Sequence, residues 1–340
     1  MERRFKVMRV ERKAELPMVF VPTDVEAAQL AKVNAELVEA ACNNEDEIIQ
    51  AARDADALLV IFAKMTRRVL ESLPKLQVIV RYGIGYDTID VDAATDNSVI
   101  VVNIPDFCLG EVSTHAIALI LACGMKLCPM SNSMKQGRWA EAQISRATVG
   151  ATYEQTLGLV GCGKIGRMTA KKAQPFGFRI LGYDPYVDKS LAAESGITLV
   201  SLPELLRESD FVSLHCFLNK ETYHLIGEKE FSQMKPTAYL INTARGSVVD
   251  EAALIKALQE KQIAGAGLDV FEQEPIDPNN PLLKIDNVVV TPHCSSHSTA
   301  SIKRLKESVG QEAARVLGER WPKNWVNKAV KPKIELVKED

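Results

Sequence analysis

A strand-like apolar run leads directly into a glycine-rich loop near the middle of the chain. Thr156-Leu-Gly-Leu-Val160 is followed by glycines at the first, third and sixth positions of the next six residues. In a strand–loop–helix unit, the first glycine permits a tight turn, the second lets the backbone approach a pyrophosphate, and the third allows close helix–strand packing. The phosphates lie at the helix N-terminus. The pattern predicts a dinucleotide-binding loop at Gly161, Cys162, Gly163, Lys164, Ile165 and Gly166.

An acidic residue ends the next predicted strand, Arg179-Ile-Leu-Gly-Tyr183. Asp184 follows Gly166 by 18 residues, a spacing suited to hydrogen bonds with the adenosine ribose hydroxyls. Its carboxylate would repel a 2′-phosphate, and Pro185-Tyr186 offers no arginine to bind one. We therefore predict NAD as the cofactor, in preference to NADP.

Apolar runs alternate with helical stretches almost throughout the 340 residues, as in βα units around parallel sheets. A chain of this length exceeds what a single core usually supports. We predict an α/β fold of two Rossmann/flavodoxin-like doubly wound parallel-sheet domains with a cleft between them, the first formed by residues 1–106 and 300–340 and the second by residues 107–299. Among the individual elements, we expect a strand at Met18–Val21, a helix at Glu26–Glu39, and one long helix from Leu109 to Gln136.

Composition excludes several classes of protein. Apolar residues make up 46% of the chain and charged residues 25%, and the net charge of −3 gives no reason to expect nucleic acid or a membrane surface as a partner. The apolar run Ala116–Met125 is about half the length of a membrane span. Seven cysteines without a CxxC pair indicate reduced thiols. We predict a cytoplasmic protein.

Polar side chains end three consecutive predicted strands of the second domain. They are Arg245, then Asp269 with Glu274, then His293. Because ligands of such sheets bind outside the carboxyl ends of the strands, these groups should converge beside the dinucleotide. Hydride transfer to a ketone creates an alkoxide that needs a proton donor, and histidine suits that task. A nearby carboxylate would stabilise imidazolium, and an arginine fork would bind a substrate carboxylate.

Two of the five histidines, His293 and His297, lie four residues apart. On a helix this spacing would place both imidazoles on one face, as in zinc sites. Pro292 and the neighbouring serines favour a loop instead, and no third ligand is evident, so we expect no metal. Single residues of these types often have structural roles, and that interpretation stays open for His215 and His297.

Five ordered motifs together resemble the D-isomer-specific 2-hydroxyacid dehydrogenase family, closest to the branch of the C-terminal-binding proteins. They are RYGIGYDTIDVDAA, GLVGCGKIG with GYDP, LINTARGSVVDEAAL, GLDVFEQEP and TPH, within residues 58–321. The resemblance implies catalysis by Arg245, Glu274 and His293, and carboxylate binding by Tyr82, Gly83, Ile84 and Gly85. It implies a substrate-binding first domain and an NAD-binding second domain. Besides the loop and Asp184, the cofactor contacts would come from His215, Cys216, Asn219, Thr243, Ala244, Arg245, Asp269 and His293.

One residue of this chain departs from the pattern of that branch. Ser296 stands where that branch commonly has an aromatic residue, which predicts a roomier and more polar substrate pocket. The expected activity is NAD-dependent interconversion of a 2-oxo acid and a D-2-hydroxy acid by a homodimer. The alternative is an NAD(H)-gated binding protein of the corepressor kind. Formate dehydrogenase is disfavoured, because that branch carries glutamine at the position of Glu274.

Overall fold

The chain divides into two compact units, described here from a computed structural model covering residues 4–11 and 23–338. One unit comprises Met1–Cys108 and Ser298–Asp340, and the other Leu109–His297. The strands are β1 Phe5–Glu11, β2 Ala35–Ala41, β3 Ala57–Val60, β4 Val78–Arg81, β5 Ile100–Val102, β6 Thr156–Val160, β7 Arg179–Tyr183, β8 Thr198–Leu199, β9 Phe211–Leu214, β10 Tyr239–Asn242, β11 Gly265–Leu268 and β12 Val288–Val290. The helices are α1 Asp24–Leu30, α2 Glu45–Ala52, α3 Arg67–Glu71, α4 Val91–Asp96, α5 Leu109–Gly124, α6 Leu127–Lys135, α7 Trp139–Arg146, α8 Lys164–Ala173, α9 Lys189–Glu194, α10 Leu202–Glu208, α11 Glu228–Phe231, α12 Glu251–Gln259 and α13 Thr299–Leu317.

The first unit is built on a parallel sheet of five described strands in the order β2-β1-β3-β4-β5. The central strand β3 is buried at every position, as expected of a parallel strand covered on both faces. Helix α13 packs against α1 so closely that a Cβ on Gly310 would lie 3.0 Å from the Glu26 Cα atom. The last helix therefore belongs to the core of this unit.

The predicted helix over Glu26–Glu39 is wrong in its second half. Helix α1 ends at Leu30, a 3-10 turn covers Ala31–Val33, and β2 begins at Ala35. Asn34 makes this break because it adopts the left-handed conformation, with φ of 52°. Strand β2 pairs along its whole length with β1, which we did not anticipate. The predicted strand at Met18–Val21 lies outside the described residues.

The second unit contains a parallel sheet of seven described strands in the order β12-β11-β10-β9-β6-β7-β8. The chain leaves β6 for β7 on one side and later returns to β9 on the other side. Strand order thus reverses at β6, and ligands of doubly wound sheets bind at the carboxyl ends of the strands at such a point. The predicted fold class, two α/β domains with parallel sheets, is confirmed.

The predicted long helix from Leu109 to Gln136 is two helices. Helix α5 ends at Gly124 and α6 begins at Leu127, with a bend of 60° between them. Lys126, in the left-handed conformation, forms the break. Helix α5 lies on β10 and β11, where a Cβ on Gly267 would sit 3.1 Å from the Leu119 Cβ atom. No single described helix is long and apolar enough to cross a membrane; only the bent pair α5 and α6 reaches that length and composition.

Candidate active site

The glycine loop connects β6 to α8 and has the shape that a pyrophosphate requires. Gly161 has φ of +94°, and a Cβ there would lie 2.7 Å from the backbone of His215. Gly166 is equally constrained, because its Cβ would lie 2.2 Å from the Gly161 carbonyl oxygen. A Cβ on Gly163, by contrast, would meet no atom of the described residues within 4 Å. Of the three glycines, only the second therefore has open space beside its Cα atom, and the phosphates are expected to approach there.

Within the described residues, the N-terminus of α8 has neither a side-chain cap nor an acidic residue in its first turn. Gly163 is its N-cap residue without a side-chain hydrogen bond, and the first turn contains no acidic residue. The N–H groups of this turn carry the positive end of the helix dipole, which favours a bound anion. Loop and helix together fit the phosphates of a dinucleotide.

Asp184 lies at the end of β7 beside this loop, as its spacing predicts. Its Oδ2 accepts a hydrogen bond of 2.8 Å from the Cys162 N–H, and its Oδ1 accepts from the N–H groups of Tyr186 at 2.8 Å and Val187 at 3.1 Å. The hydroxyl of Tyr186 donates to Glu221 at 2.6 Å, which brings a second carboxylate to this edge. Two carboxylates oppose a 2′-phosphate and suit free ribose hydroxyls.

Residues after β9 and β10 provide further polar groups in the same unit. Thr243 is buried, and among the described residues no group hydrogen-bonds its Oγ1, so a bound molecule could satisfy it. Burial lowers the pKa of His215 to about 4, and its Nε2 lies 3.0 Å from the Ser213 Oγ, so its imidazole is neutral at pH 7. Burial raises the pKa of Cys216 to about 11. Asn219 Oδ1 accepts from the N–H groups of Glu221 and Thr222 and shapes the turn there.

Arg245 follows β10 on a segment with a defined position. The Asn242 side chain donates to the Arg245 carbonyl oxygen at 2.9 Å, and the Arg245 Nη1 donates to the Ala244 carbonyl oxygen at 2.8 Å. Gly246 packs directly on the next segment, because its Cβ would lie 1.9 Å from the Phe271 carbonyl carbon. The segments that carry Arg245 and Glu274 are thus in contact.

His293 and Glu274 form the hydrogen-bonded pair that the sequence predicts. The His293 Nδ1 lies 2.6 Å from Glu274 Oε2, while Glu274 Oε1 accepts from the Phe271 N–H at 2.9 Å. Both side chains are 32% exposed, so solvent still reaches them. Because a carboxylate accepts the Nδ1 proton, Nε2 is the nitrogen left for exchange with a ligand.

Asp269 organises the loop that carries His293. Its fully buried carboxylate accepts from the Thr291 hydroxyl at 2.6 Å, from the Cys294 N–H at 2.9 Å and from the Ser295 N–H at 2.8 Å. Its carbonyl oxygen accepts from the His293 N–H at 2.8 Å, and His293 adopts a left-handed φ of 49°. From the sequence, Asp269 was expected at the converging strand ends as a cofactor contact, and Thr291 had no assigned role. The position of the threonine directly before Pro292 was the sequence signal available for its contact with Asp269.

The segment from residue 291 to 298 is a loop, as predicted, and it separates the two histidines. His297 is exposed, and its Nδ1 lies 3.1 Å from the Ser296 Oγ. Desolvation of its ring by neighbouring groups lowers the pKa of His297, and the nearby His293 lowers it further. His115, on α5, places its Nε2 2.9 Å from the Thr291 Oγ1 and 3.7 Å from Asp269 Oδ1.

The predicted carboxylate-binding loop lies in the first unit, after β4. The Tyr82 side chain is only 2% exposed, and its hydroxyl donates to Glu26 Oε1 at 2.8 Å. Burial raises the pKa of Tyr82 well above its ordinary value. The carbonyl oxygens of Gly83 and Ile84 accept from Ile104 and Asn103. Within the described part of the chain, the N–H groups of Ile84 and Gly85 have no acceptor, so the backbone is what this loop offers an anion.

The second unit combines a dinucleotide loop, an acidic strand end and a histidine–carboxylate pair, which defines a dinucleotide-dependent dehydrogenase. Comparison with known proteins gives the family. Residues 117–295 match the family model "D-isomer specific 2-hydroxyacid dehydrogenase, NAD binding domain". A glyoxylate reductase of Korarchaeum cryptofilum is 40% identical over 92% of this chain and 97% of its own length. The chain belongs to the D-isomer-specific 2-hydroxyacid dehydrogenase family, and its cofactor is NAD(H).

Two further relatives span different lengths. A D-3-phosphoglycerate dehydrogenase of Methanocaldococcus jannaschii is 38% identical over 94% of this chain, which covers 61% of that longer protein. The crystal structure of D-lactate dehydrogenase from Aquifex aeolicus, complexed with NAD and lactic acid, superposes with a TM-score of 0.82 at 30% identity over 94% of this chain and 99% of that one. The predicted family is confirmed.

Proposed function

We propose that this protein interconverts a 2-oxo acid and a D-2-hydroxy acid by hydride transfer, with His293 as the acid–base group. The observation that carries the proposal is the 2.6 Å contact between His293 Nδ1 and Glu274 Oε2, in the unit that holds the glycine loop. Glu274 fixes the ring and its tautomer, so that Nε2 faces the reacting oxygen.

Each polar group then has a task during reduction. When bound, NADH supplies the hydride that C2 of the oxo acid accepts. His293 delivers its Nε2 proton to the oxygen that becomes the hydroxyl, and Glu274 stabilises the imidazolium before that transfer. The guanidinium of Arg245 binds the substrate carboxylate as a two-pronged donor and polarises the adjacent carbonyl. In the oxidation direction, neutral His293 takes up the hydroxyl proton.

We assign the remaining carboxylate contacts to the loop at Tyr82, Gly83, Ile84 and Gly85. The buried Tyr82 side chain supports the loop through Glu26, while the N–H groups of Ile84 and Gly85 are the donors available to an anion. Two backbone N–H donors would satisfy two of the acceptor positions of a carboxylate.

Preference for NAD over NADP follows from the edge formed by Asp184. Neither Asp184 nor its neighbour Tyr186 offers a cation to a 2′-phosphate, and Glu221 adds negative charge there. Thr243, with its unpaired Oγ1, is a further proposed cofactor contact. Asp269 would bind the nicotinamide carboxamide, and Ala244, Cys216 and Asn219 line the remainder of the cofactor site.

We propose hydrophilic 2-oxo acids, glyoxylate among them, as substrates. The relatives named as glyoxylate reductase and D-lactate dehydrogenase support this class. Ser296, three residues after His293, has its hydroxyl 3.1 Å from His297 Nδ1, and we expect it to favour a polar substrate substituent over an aromatic one.

We further propose a cytoplasmic homodimer with no nucleic-acid or membrane partner. Helices α6 and α7 support dimerisation, because Leu127, Trp139 and Ile144 are 54%, 62% and 74% exposed in the single chain. Exposed apolar side chains of this size, close in sequence, are characteristic of interfaces.

The test is NADH oxidation by the purified protein with glyoxylate, hydroxypyruvate, pyruvate and phenylpyruvate. We expect turnover with at least one of the hydrophilic acids. His293→Ala should lower kcat by about 10²- to 10⁴-fold, the usual contribution of a general acid. His297→Ala, four residues away, is the matched control and should retain most of the activity. Absence of turnover with every acid, or full activity of His293→Ala, would refute the proposal.

A further inference from the structure

Three side chains with metal-binding atoms meet next to the loop of His293. His115 on α5, Asp269 after β11 and Cys294 after β12 place an imidazole nitrogen, a carboxylate oxygen and a sulfur within 4.8 Å of one another. They come from three elements of the second unit, so no single turn of chain explains their proximity. The acid–base chemistry proposed above uses neither His115 nor Cys294.

The distances are close to those of a tetrahedral zinc site. Bonds of 2.0–2.3 Å to nitrogen, oxygen and sulfur put neighbouring ligand atoms about 3.3–3.8 Å apart. His115 Nε2 and Asp269 Oδ1 are already 3.7 Å apart. Since the three atoms lie within 4.8 Å, the remaining pairs need to approach by about 1 Å at most.

The donor set and the surrounding space also suit zinc. A thiolate and a carboxylate balance the charge of Zn²⁺, and imidazole is among its commonest ligands. His115 and Cys294 line a cavity of about 480 Å³, and His297 lines the same cavity. The cavity gives a cation an approach path to His115 and Cys294, and His297 or a water molecule could fill the fourth position.

Binding would replace existing hydrogen bonds with metal bonds. The Cys294 thiol now interacts with Asp269 and Thr291, and His115 Nε2 lies 2.9 Å from the Thr291 Oγ1. Coordination releases the thiol proton to solvent, and His115 moves its ring proton to Nδ1. No redox change is involved.

We propose that His115, Asp269 and Cys294 form an inhibitory Zn²⁺ site. Asp269 Oδ1 holds the Thr291 hydroxyl and the Cys294 N–H, which lie on either side of His293. Coordination of Zn²⁺ by this oxygen weakens its hydrogen bonds to the Thr291 hydroxyl and the Cys294 N–H. The loop that positions His293 is then displaced. Inhibition, but not metal binding, rests on the proposed function.

The binding test uses Co²⁺ as a spectroscopic substitute for Zn²⁺ in the intact, reduced protein. We expect one equivalent to give the visible bands of tetrahedral Co²⁺ together with a near-ultraviolet thiolate-to-cobalt band, and Zn²⁺ to abolish both. Cys294→Ser should remove the thiolate band, and Cys294→Ser and His115→Gln should each weaken Co²⁺ binding by at least about tenfold, since even groups outside the ligand set contribute that much. Cys128→Ser, which changes a partly exposed thiol on α6, is the matched control. Thermal melts of each variant establish that it is folded.

Turnover is measured separately over a Zn²⁺ titration. We expect Zn²⁺ to lower kcat of the wild type and of Cys128→Ser, while Cys294→Ser keeps its basal rate and loses the sensitivity. A thiolate band that persists in Cys294→Ser, or no band at millimolar Co²⁺, would overturn the site. Binding without any loss of turnover would overturn the inhibition. A protein without oxo-acid reductase activity would still give the spectroscopic result, so failure of the proposed function is recognisable by itself.

Discussion

Replacing Glu274 with glutamine tests whether a carboxylate is needed behind His293. Glutamine keeps the size of the side chain and can still accept from the Phe271 N–H through its oxygen. Its NH₂ group would then face His293 Nδ1, 2.6 Å from the present position of Oε2, and cannot accept the Nδ1 proton. The variant therefore removes one charge-assisted hydrogen bond while leaving the packing intact.

The expected magnitude follows from the exposure of the pair. A hydrogen bond to a charged group contributes about 1.5–3 kcal/mol. Both side chains are 32% exposed, so solvent screening reduces the loss of transition-state stabilisation to about 1–2 kcal/mol. That loss corresponds to a fall in kcat of about 5- to 30-fold. The KM for NADH should change little, because neither group belongs to the glycine loop.

The chain contains a matched control for this experiment. Glu272 pairs with His224 Nε2, and those two side chains are 33% and 31% exposed. Glu272→Gln therefore makes the same chemical change at a similarly exposed histidine–glutamate pair, two residues away in sequence. Steady-state kinetics should show Glu272→Gln within about twofold of the wild type. If the two variants lose the same activity, or Glu274→Gln loses none, the assigned role of Glu274 is wrong.

Three further predictions concern the cofactor edge and stability. Gly163→Ala should leave the melting temperature unchanged, because the added Cβ meets no atom of the described residues. It should raise the KM for NADH, because the Cβ fills the space of the phosphates. Gly161→Ala should instead lower the melting temperature, because its Cβ would lie 2.7 Å from the backbone of His215. Asp184→Asn should raise kcat/KM with NADPH relative to NADH by about tenfold, measured with both cofactors, because it removes a charge facing the 2′-phosphate; an unchanged ratio contradicts the assignment. The third prediction concerns His215→Gln. The pKa of His215 in the folded protein is about 4, below the ordinary 6.5, so the unfolded chain binds a proton at a higher pH than the folded protein does. The stability that the neutral His215 contributes is therefore fully present above pH 6.5 and is lost as the pH falls toward 4. Urea unfolding should therefore show the wild type losing about 2–3 kcal/mol relative to the variant between pH 7 and pH 4; parallel curves would contradict it.

Most of the fold could be predicted from the sequence where each strand is a buried apolar run. Strand β7 was predicted to the residue. Prediction failed over Ala35–Ala41, whose alanine, glutamate and leucine residues all favour helix. Pairing with β1 across more than twenty residues of chain decides its conformation, and no local pattern reports that pairing. Lys126 similarly breaks a continuous apolar stretch without glycine or proline at that position.

The site was predictable to the extent that strand ends meet at one edge of a parallel sheet. That rule predicts that Glu274 and His293 lie close together. It could not show that Tyr82 turns its side chain away into the core toward Glu26. Nor could it show that His115, from a helix more than 170 residues earlier, reaches Thr291, because helix packing on a sheet fixes that contact.

Asp269 explains why the two histidines of the 291–298 loop differ. Burying a carboxylate costs several kcal/mol unless donors satisfy it, and here the Thr291 hydroxyl and the N–H groups of Cys294 and Ser295 do so. Three donors from five consecutive residues leave the loop little freedom, so His293 is held with its Nδ1 toward Glu274. His297 lies beyond the last of these bonds and is exposed. The same carboxylate has about four acceptor positions, three of which the loop uses. The remaining position is on Oδ2 and suits a carboxamide N–H, whereas Zn²⁺ would draw Oδ1 away from Thr291 and Cys294. Because the cation displaces the loop beside the cofactor, the two proposals for Asp269 compete, and zinc binding should weaken in the presence of NADH.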